Sequence, residues 1–461
     1  MNEAPVVVRQ IIWRDVFPWL LLLRVFRVAI SPGPLLLATL AVILCSLSWW
    51  TCGFLFLSQK DFATEQRPVL LSLPKAVRKG PSVVVPTSAH EIASNNNVAA
   101  RPYWDLTEPV RQLFDSRLTF RHVVYYLAGS LVAVAIWSFV GGVISRQALV
   151  ELGAEQPYDW FDGIRYVTRR YPQYLLAPLA PLLALVVMGL LLVPLGWLMQ
   201  LDFGVFIAGL SWILVLVMGL VAAWLMVGLL FGWPLMFGVI GSKRDTDSLQ
   251  AFSDSYSYVY GKPLHLLFYA IVALVLGGLA MYLVELFATA ATEFGFWATS
   301  WGAGAARIEL IRTQIAMLAN GEEVKLLNAE GQKIEIPPSQ QAGVWLISLV
   351  LTLVEVIKLA AAYSYFFASS AVIFLLMRLA VDEKEMDEIH MEDEDEHIET
   401  ARRVMLSDAG PPPVVEPVSD PFSPPPIAAN PPPEPQPIPE PKPAADPPPP
   451  DGFQLPGDPA R

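Results

Sequence analysis

Charge is what this sequence has least of. Only 16% of its 461 residues are Asp, Glu, Lys or Arg, where soluble domains carry about 25%, and 54% are hydrophobic. A chain so poor in charge cannot dress a water-facing surface of its size, so it reads as an integral membrane protein. The net charge of −12 describes one stretch and not a surface, because acid is concentrated within 382–399. No basic stripe interleaved with aromatics is present, which sets nucleic-acid binding aside.

Cysteine is nearly missing. Cys45 and Cys52 lie seven positions apart in one apolar run. On a helix that puts their Cα atoms about 10 Å apart, beyond the roughly 7 Å limit for a disulfide, so they are expected as inert thiols. The chain also lacks a Walker loop, a Gly-X-Ser-X-Gly elbow, His-Glu-X-X-His and Cys-X-X-Cys. Catalytic residues, cofactors and a resident metal are therefore not expected. The absence of an Asn-X-Ser/Thr sequon agrees with a bacterial source, and some thirty residues ahead of the first apolar run argue against a secretory signal.

What is abundant is uninterrupted apolar sequence. Runs at 35–57, 123–145, 174–199, 203–241, 264–289 and 344–380 can each cross a bilayer, for which about 20 residues suffice. The expected fold is all-α, a polytopic membrane protein of about six spans with amphipathic interfacial helices. The fourth run is longer than a bilayer needs, and a kink or break is expected near Gly232-Trp233-Pro234.

Between the runs lie segments of different character. Residues 1–34 carry aromatic, aliphatic and basic residues suited to a headgroup layer. Residues 58–122 read as an outer loop, with a helix from Thr107 to Leu118 signalled by Thr107-Glu108-Pro109. Residues 290–343 form a second outer segment, with a possible helix from Ala305 to Leu318 and a possible hairpin over 324–336. An acidic juxtamembrane helix is expected over 381–407. A proline-dominated tail over 408–461 is expected to be disordered and locally polyproline II. It offers a groove-binding protein partner its PXXP registers, or serves as a spacer.

Two connections share a pattern. DWFDGIRYVTRRYPQYLLAPL (159–179) and DSLQAFSDSYSYVYGKPLHLLFY (247–269) each place a short amphipathic stretch and a proline before an apolar run. Both connections, 146–173 and 242–263, read as interfacial helices on the cytoplasmic side. In the second, Phe252, Tyr256, Tyr258, Val259 and Pro263 are the marking residues, with Leu249, Phe252, Tyr256 and Val259 facing lipid or the bundle. Basic residues crowd these short connections and are missing from the 200–202 turn, which places both termini in the cytoplasm.

At SDSYSYVYGKPLHLLFY and RYVTRRYPQYLLAPLAPL the chain resembles a group of uncharacterised bacterial multi-pass membrane proteins. In that group a similar Ser-Tyr-Ser-Tyr-Val stretch and a basic-Pro pair lead into a span. The resemblance covers about residues 140–290. It implies a six-span inner-membrane architecture and carries no activity.

Ionisable residues within apolar runs are candidates for function by default. Here they are Glu285, Glu355 and Lys358, expected near the outer boundary as an interfacial ion pair or, alternatively, a proton or ion relay. Tyr363, Ser364, Tyr365, Ser369 and Ser370 suit helix packing, as does the Gly228/Gly232 pair. His390 and His397, seven apart among carboxylates, could hold a divalent cation or belong to a solvated face. The leading functional expectation is a non-enzymatic membrane scaffold or partner-binding protein. A transporter or channel and an unrecognised membrane enzyme are the alternatives. The lipid bilayer is the one partner required, and the oligomeric state is open.

Overall fold

The computed structural model describes residues 17–59, 61, 98–115, 117–243, 246–319 and 337–390. They all belong to the first of the chain's two compact units, Met1–Met391; the second is Glu392–Arg461. Among the described residues there are ten α-helices, one 3-10 turn and no strand, which is the all-α class that apolar periodicity implies. The hairpin expected over 324–336 and the proline-rich tail lie outside the described residues.

A 3-10 turn, Pro18–Leu20, leads into α1 (Leu21–Ala29). α1 is strongly amphipathic and turns Leu21, Leu22, Val25, Val28 and Ala29 into the bundle, where the Ser364 hydroxyl donates to the Ala29 carbonyl at 2.7 Å. Six helices are long and apolar enough to cross a membrane. They are α2 (Pro32–Phe56), α4 (Phe120–Leu152), α5 (Trp160–Leu198), α6 (Asp202–Ser242), α8 (Pro263–Ala303) and α10 (Pro338–Asp382). Three shorter helices, α3 (Arg101–Gln112), α7 (Ser248–Gly261) and α9 (Ala305–Ala319), complete the set.

Several boundaries differ from those expected, each for a local reason. α3 starts at Arg101 with Pro102 in its first turn and ends at Gln112, carrying Pro109 inside, so the helix lies earlier than Thr107 to Leu118. α5 is continuous through Pro172, Pro178, Pro181 and Pro194, so the first interfacial segment and the third span are one helix. Apolar helices tolerate such prolines because neighbouring helices satisfy the freed carbonyls. α6 likewise runs unbroken through Pro234. At the second copy of the pattern the proline does separate two helices. Lys262, held before Pro263, takes a non-helical ψ of 67°, as the clash with a following proline ring favours. α8 extends to Ala303, where Gly304 at φ 87° ends it and lets α9 begin.

The core is an aromatic and small-residue junction around the second half of α10. Trp137 stacks on Tyr363 at 4.2 Å, and Phe367 packs among Trp137, Trp233 and Phe237. Two glycines admit these rings. A Cβ on Gly141 would lie 2.4 Å from Phe367, and one on Gly238 would lie 2.7 Å from Phe374. The hydroxyl-rich stretch of α10 serves packing: Tyr365 donates to the Ala273 carbonyl on α8, and Tyr363 to Asp105 on α3. Away from this junction, α5 and α6 bear exposed apolar side chains almost all round, among them Leu190, Leu191, Phe206, Leu210 and Leu220. That exposure suits contact with lipid.

Candidate functional site

Among the described residues no single cleft gathers the chemistry. The polar side chains form two clusters, one at the end where α4, α6 and α10 finish and one between α8 and α10.

The first cluster begins with α7. Asp247 caps it, accepting from the Gln250 amide at 2.7 Å. Its Tyr256, Tyr258 and Val259 are buried and Phe252 is half-buried, while Pro263 is exposed at the first position of α8. The helix therefore packs as an integral part of the bundle, mainly along α6. Leu249 is 64% exposed and so points away from the bundle, the lipid-facing side of the two that its facing allowed. The docking point is the Gly228/Gly232 notch. A Cβ on Gly228 would lie 2.1 Å from the Tyr256 ring, and Gly232 faces Ser255 and Val259. Tyr256 and Tyr260 donate to the Leu225 and Trp224 carbonyls, both at 2.5 Å. Tyr258 donates to Asp382 Oδ2 at 2.7 Å. Burial holds the Tyr258 phenol above its ordinary range, and Asp382 beside it adds to the shift. Burial raises Tyr256 and Tyr260 too.

Beyond α10 the chain does not continue as the acidic helix expected from residue 381. Glu383 turns it with φ 56°, and residues 383–390 are non-helical, forming a strap that buries Met386 and Ile389. Two buried arginines hold it. Arg146 Nη1 donates to the Gly241 carbonyl at 2.6 Å and Nη2 to the His390 carbonyl at 2.7 Å, while its guanidinium lies 4.4 Å from the Tyr166 ring centre. Arg378 donates to the Glu388 carbonyl at 2.8 Å and to its carboxylate at 3.2 Å. The His390 amide donates to the Ser242 carbonyl. Arg170 reaches the Tyr166 hydroxyl and the Lys243 carbonyl, and Tyr166 reaches the Ile240 carbonyl. These donors satisfy the carbonyls that the end of α6 leaves open and place positive charge at the negative end of its dipole.

Sequence reasoning treated Arg146 only as a charge in a short connection. The signal that could have singled it out is its setting, Gly-Gly-Val-Ile-Ser-Arg-Gln-Ala-Leu-Val, apolar enough on both sides to bury a cation. His390 enters the strap through its backbone. His397 lies outside the described residues, and among those described no group of three His, Cys, Asp or Glu side chains could hold a metal.

The second cluster unites the three charges picked out in the spans. Lys358 Nζ lies 2.7 Å from Glu285 Oε2 on α8 and 2.7 Å from Glu355 Oε1 one turn back on α10. Lys358 and Glu355 are each 14% exposed and Glu285 44%, so the group opens on one side. Farther along the same helices, Glu293 pairs with Arg312 at 2.7 Å, and Arg307 with Gln340 at 2.9 Å, tying α9 across α8 and α10.

No protein-family model, curated protein or solved structure matches the chain.

Proposed function

We propose that this protein is a non-enzymatic scaffold of a bacterial inner membrane, with both termini in the cytoplasm and a proline-rich tail that meets a protein partner. The observation that carries this reading is the strap. Two buried arginines are committed to the backbone of residues 388 and 390, which fixes the point from which the acidic and proline-rich sequence departs. A mobile spacer would need no such anchorage. The resemblance over residues 140–290 is in keeping with this architecture, as is the concentration of basic residues where α4, α6 and α10 end.

Deleting residues 408–461 and comparing the proteins crosslinked to the purified complex tests the tail. Loss of specific partners is the expected result, and an unchanged partner set removes the tail from the function.

A transporter or channel is the second reading, favoured by the Glu285–Lys358–Glu355 cluster between two spans. Proteoliposome flux tests it. Flux that is present in the native protein and lost in Glu285→Gln or Glu355→Gln would replace the scaffold reading.

A further inference from the structure

We propose that α1 and the first turns of α5 form a binding surface for anionic phospholipid headgroups. The proposal starts from one helical face. Phe161, Arg165, Arg169, Pro172 and Leu176 recur at steps of three and four along α5, and all are exposed or half-exposed. The face continues into the exposed apolar side chains that begin at Leu183. Arg169 lies about 10 Å before Leu176 along the axis and Arg165 about 16 Å before it, at 1.5 Å per residue. That places the guanidinium groups beside the apolar belt at the depth of the headgroups, within reach of a snorkelling side chain. The acidic residues of this helix, Asp159 and Asp162, occupy its cap and first turn, on the far side of the arginines from the lipid.

A third arginine joins from α1. Arg24 on α1 bonds Glu155 just ahead of α5 at 2.8 Å, and Trp160 fills the space over Gly33 at the start of α2. These two contacts bring the exposed edge of α1, with Arg27, Leu23 and Ile30, beside the entrance of α5. Arg27 and Arg165 make no hydrogen bond or ion pair with any described residue, whereas Arg24, Arg146, Arg169, Arg170 and Arg378 are all engaged within the protein. Two exposed guanidinium forks without acceptors among the described residues, next to an exposed Phe161 packed on Trp160 at 4.0 Å, match a phosphodiester seated at an aromatic-lined membrane boundary.

The related segment α7 makes the assignment selective. Its exposed side chains are Leu249, Gln250, Ser253, Ser257 and Tyr260, with no cation among them, and Lys262 just beyond it donates to the Ala380 carbonyl. The two segments that look alike in sequence have thus parted: α5 meets the headgroups, and α7 fills the bundle.

The test uses the full-length protein in nanodiscs of phosphatidylcholine, with or without phosphatidylglycerol, reading lipid retention by native mass spectrometry and the thermal midpoint. Each unengaged arginine near a membrane surface contributes roughly a fivefold factor, so the triple variant Arg27→Gln, Arg165→Gln, Arg169→Gln should lose at least about 25-fold in phosphatidylglycerol retention, the share of Arg27 and Arg165. The corresponding triple Lys variant, which keeps the charge and serves as the folding control, should retain most of it. Arg307→Gln, which removes an exposed charge from α9 together with its bond to Gln340, should leave lipid retention unchanged. Retention by the triple Gln variant equal to that of the native protein overturns the proposal. A thermal shift produced equally by inorganic phosphate in phosphatidylcholine discs overturns it also, because the surface would then take free phosphate and not a lipid.

Discussion

Replacing Arg146 by Met keeps the length and apolar bulk of the side chain and removes both donors. Two carbonyls then lose their partners, Gly241 at the end of α6 and His390 on the strap. A hydrogen bond to a charged group contributes about 1.5–3 kcal/mol. The strap keeps its other ties, those of Arg378 to Glu388 and of the His390 amide to Ser242, so its opening should become easier by one such bond. At tenfold per 1.4 kcal/mol that is about 10- to 150-fold. A cysteine at position 389 reads it directly, because Ile389 is only 6% exposed while the strap is docked. The assay is the rate of maleimide labelling of Ile389→Cys in a chain whose Cys45 and Cys52 are changed to Ser. Arg146→Met should raise the rate by that factor, and Arg146→Lys, which can reach one carbonyl at a time, by less. A rate within twofold of the parent would refute the claim that Arg146 holds the strap. So would a faster rate matched in full by global unfolding.

Other contacts give three more expectations. Gly228→Val drives a branched side chain into the Tyr256 ring, so the thermal midpoint should fall by the equivalent of roughly 1–3 kcal/mol, with partial recovery when Tyr256→Ala is added. Lys358→Met leaves Glu285 and Glu355 facing each other without their shared cation. It should cost up to about 3 kcal/mol, the low end for breaking a buried pair because Glu285 keeps contact with solvent, and Glu355→Gln in the same chain should restore most of the loss. Stability should be flat to about pH 9 and fall above about pH 10. The α7 phenols are held above their ordinary value, so the folded state keeps protons that the unfolded chain releases there. Chemical denaturation across that range should show a shallower decline in Tyr258→Phe, and an identical slope would remove Tyr258 from the effect.

The spans were legible because lipid and core impose the same demand, an apolar surface, which composition reports directly. The Gly228/Gly232 notch was legible for a related reason, since only missing side chains permit so close an approach. Helix ends were harder. Pro172 and Pro263 stand in similar local sequence, yet α5 passes through the first and the chain breaks at the second, where Gly261-Lys262 precedes the proline. The strap was least legible. Residues 383–390 carry a composition that suits a solvated helix, and what withdraws them from it is a set of donors on α4 and at the end of α10. Arg146 escaped notice for the same reason, because its acceptors are backbone atoms, which leave no mark on residue type.

Those long-range bonds also set an order of assembly. Ser364 meets Ala29 across 335 positions, and Arg146 meets His390 across 244. Neither α1 nor Arg146 can find these partners until the ribosome has released α10. Through most of synthesis the growing chain therefore carries an amphipathic helix and a cation waiting beside the bilayer for their cover, and its last span is the one that closes the structure.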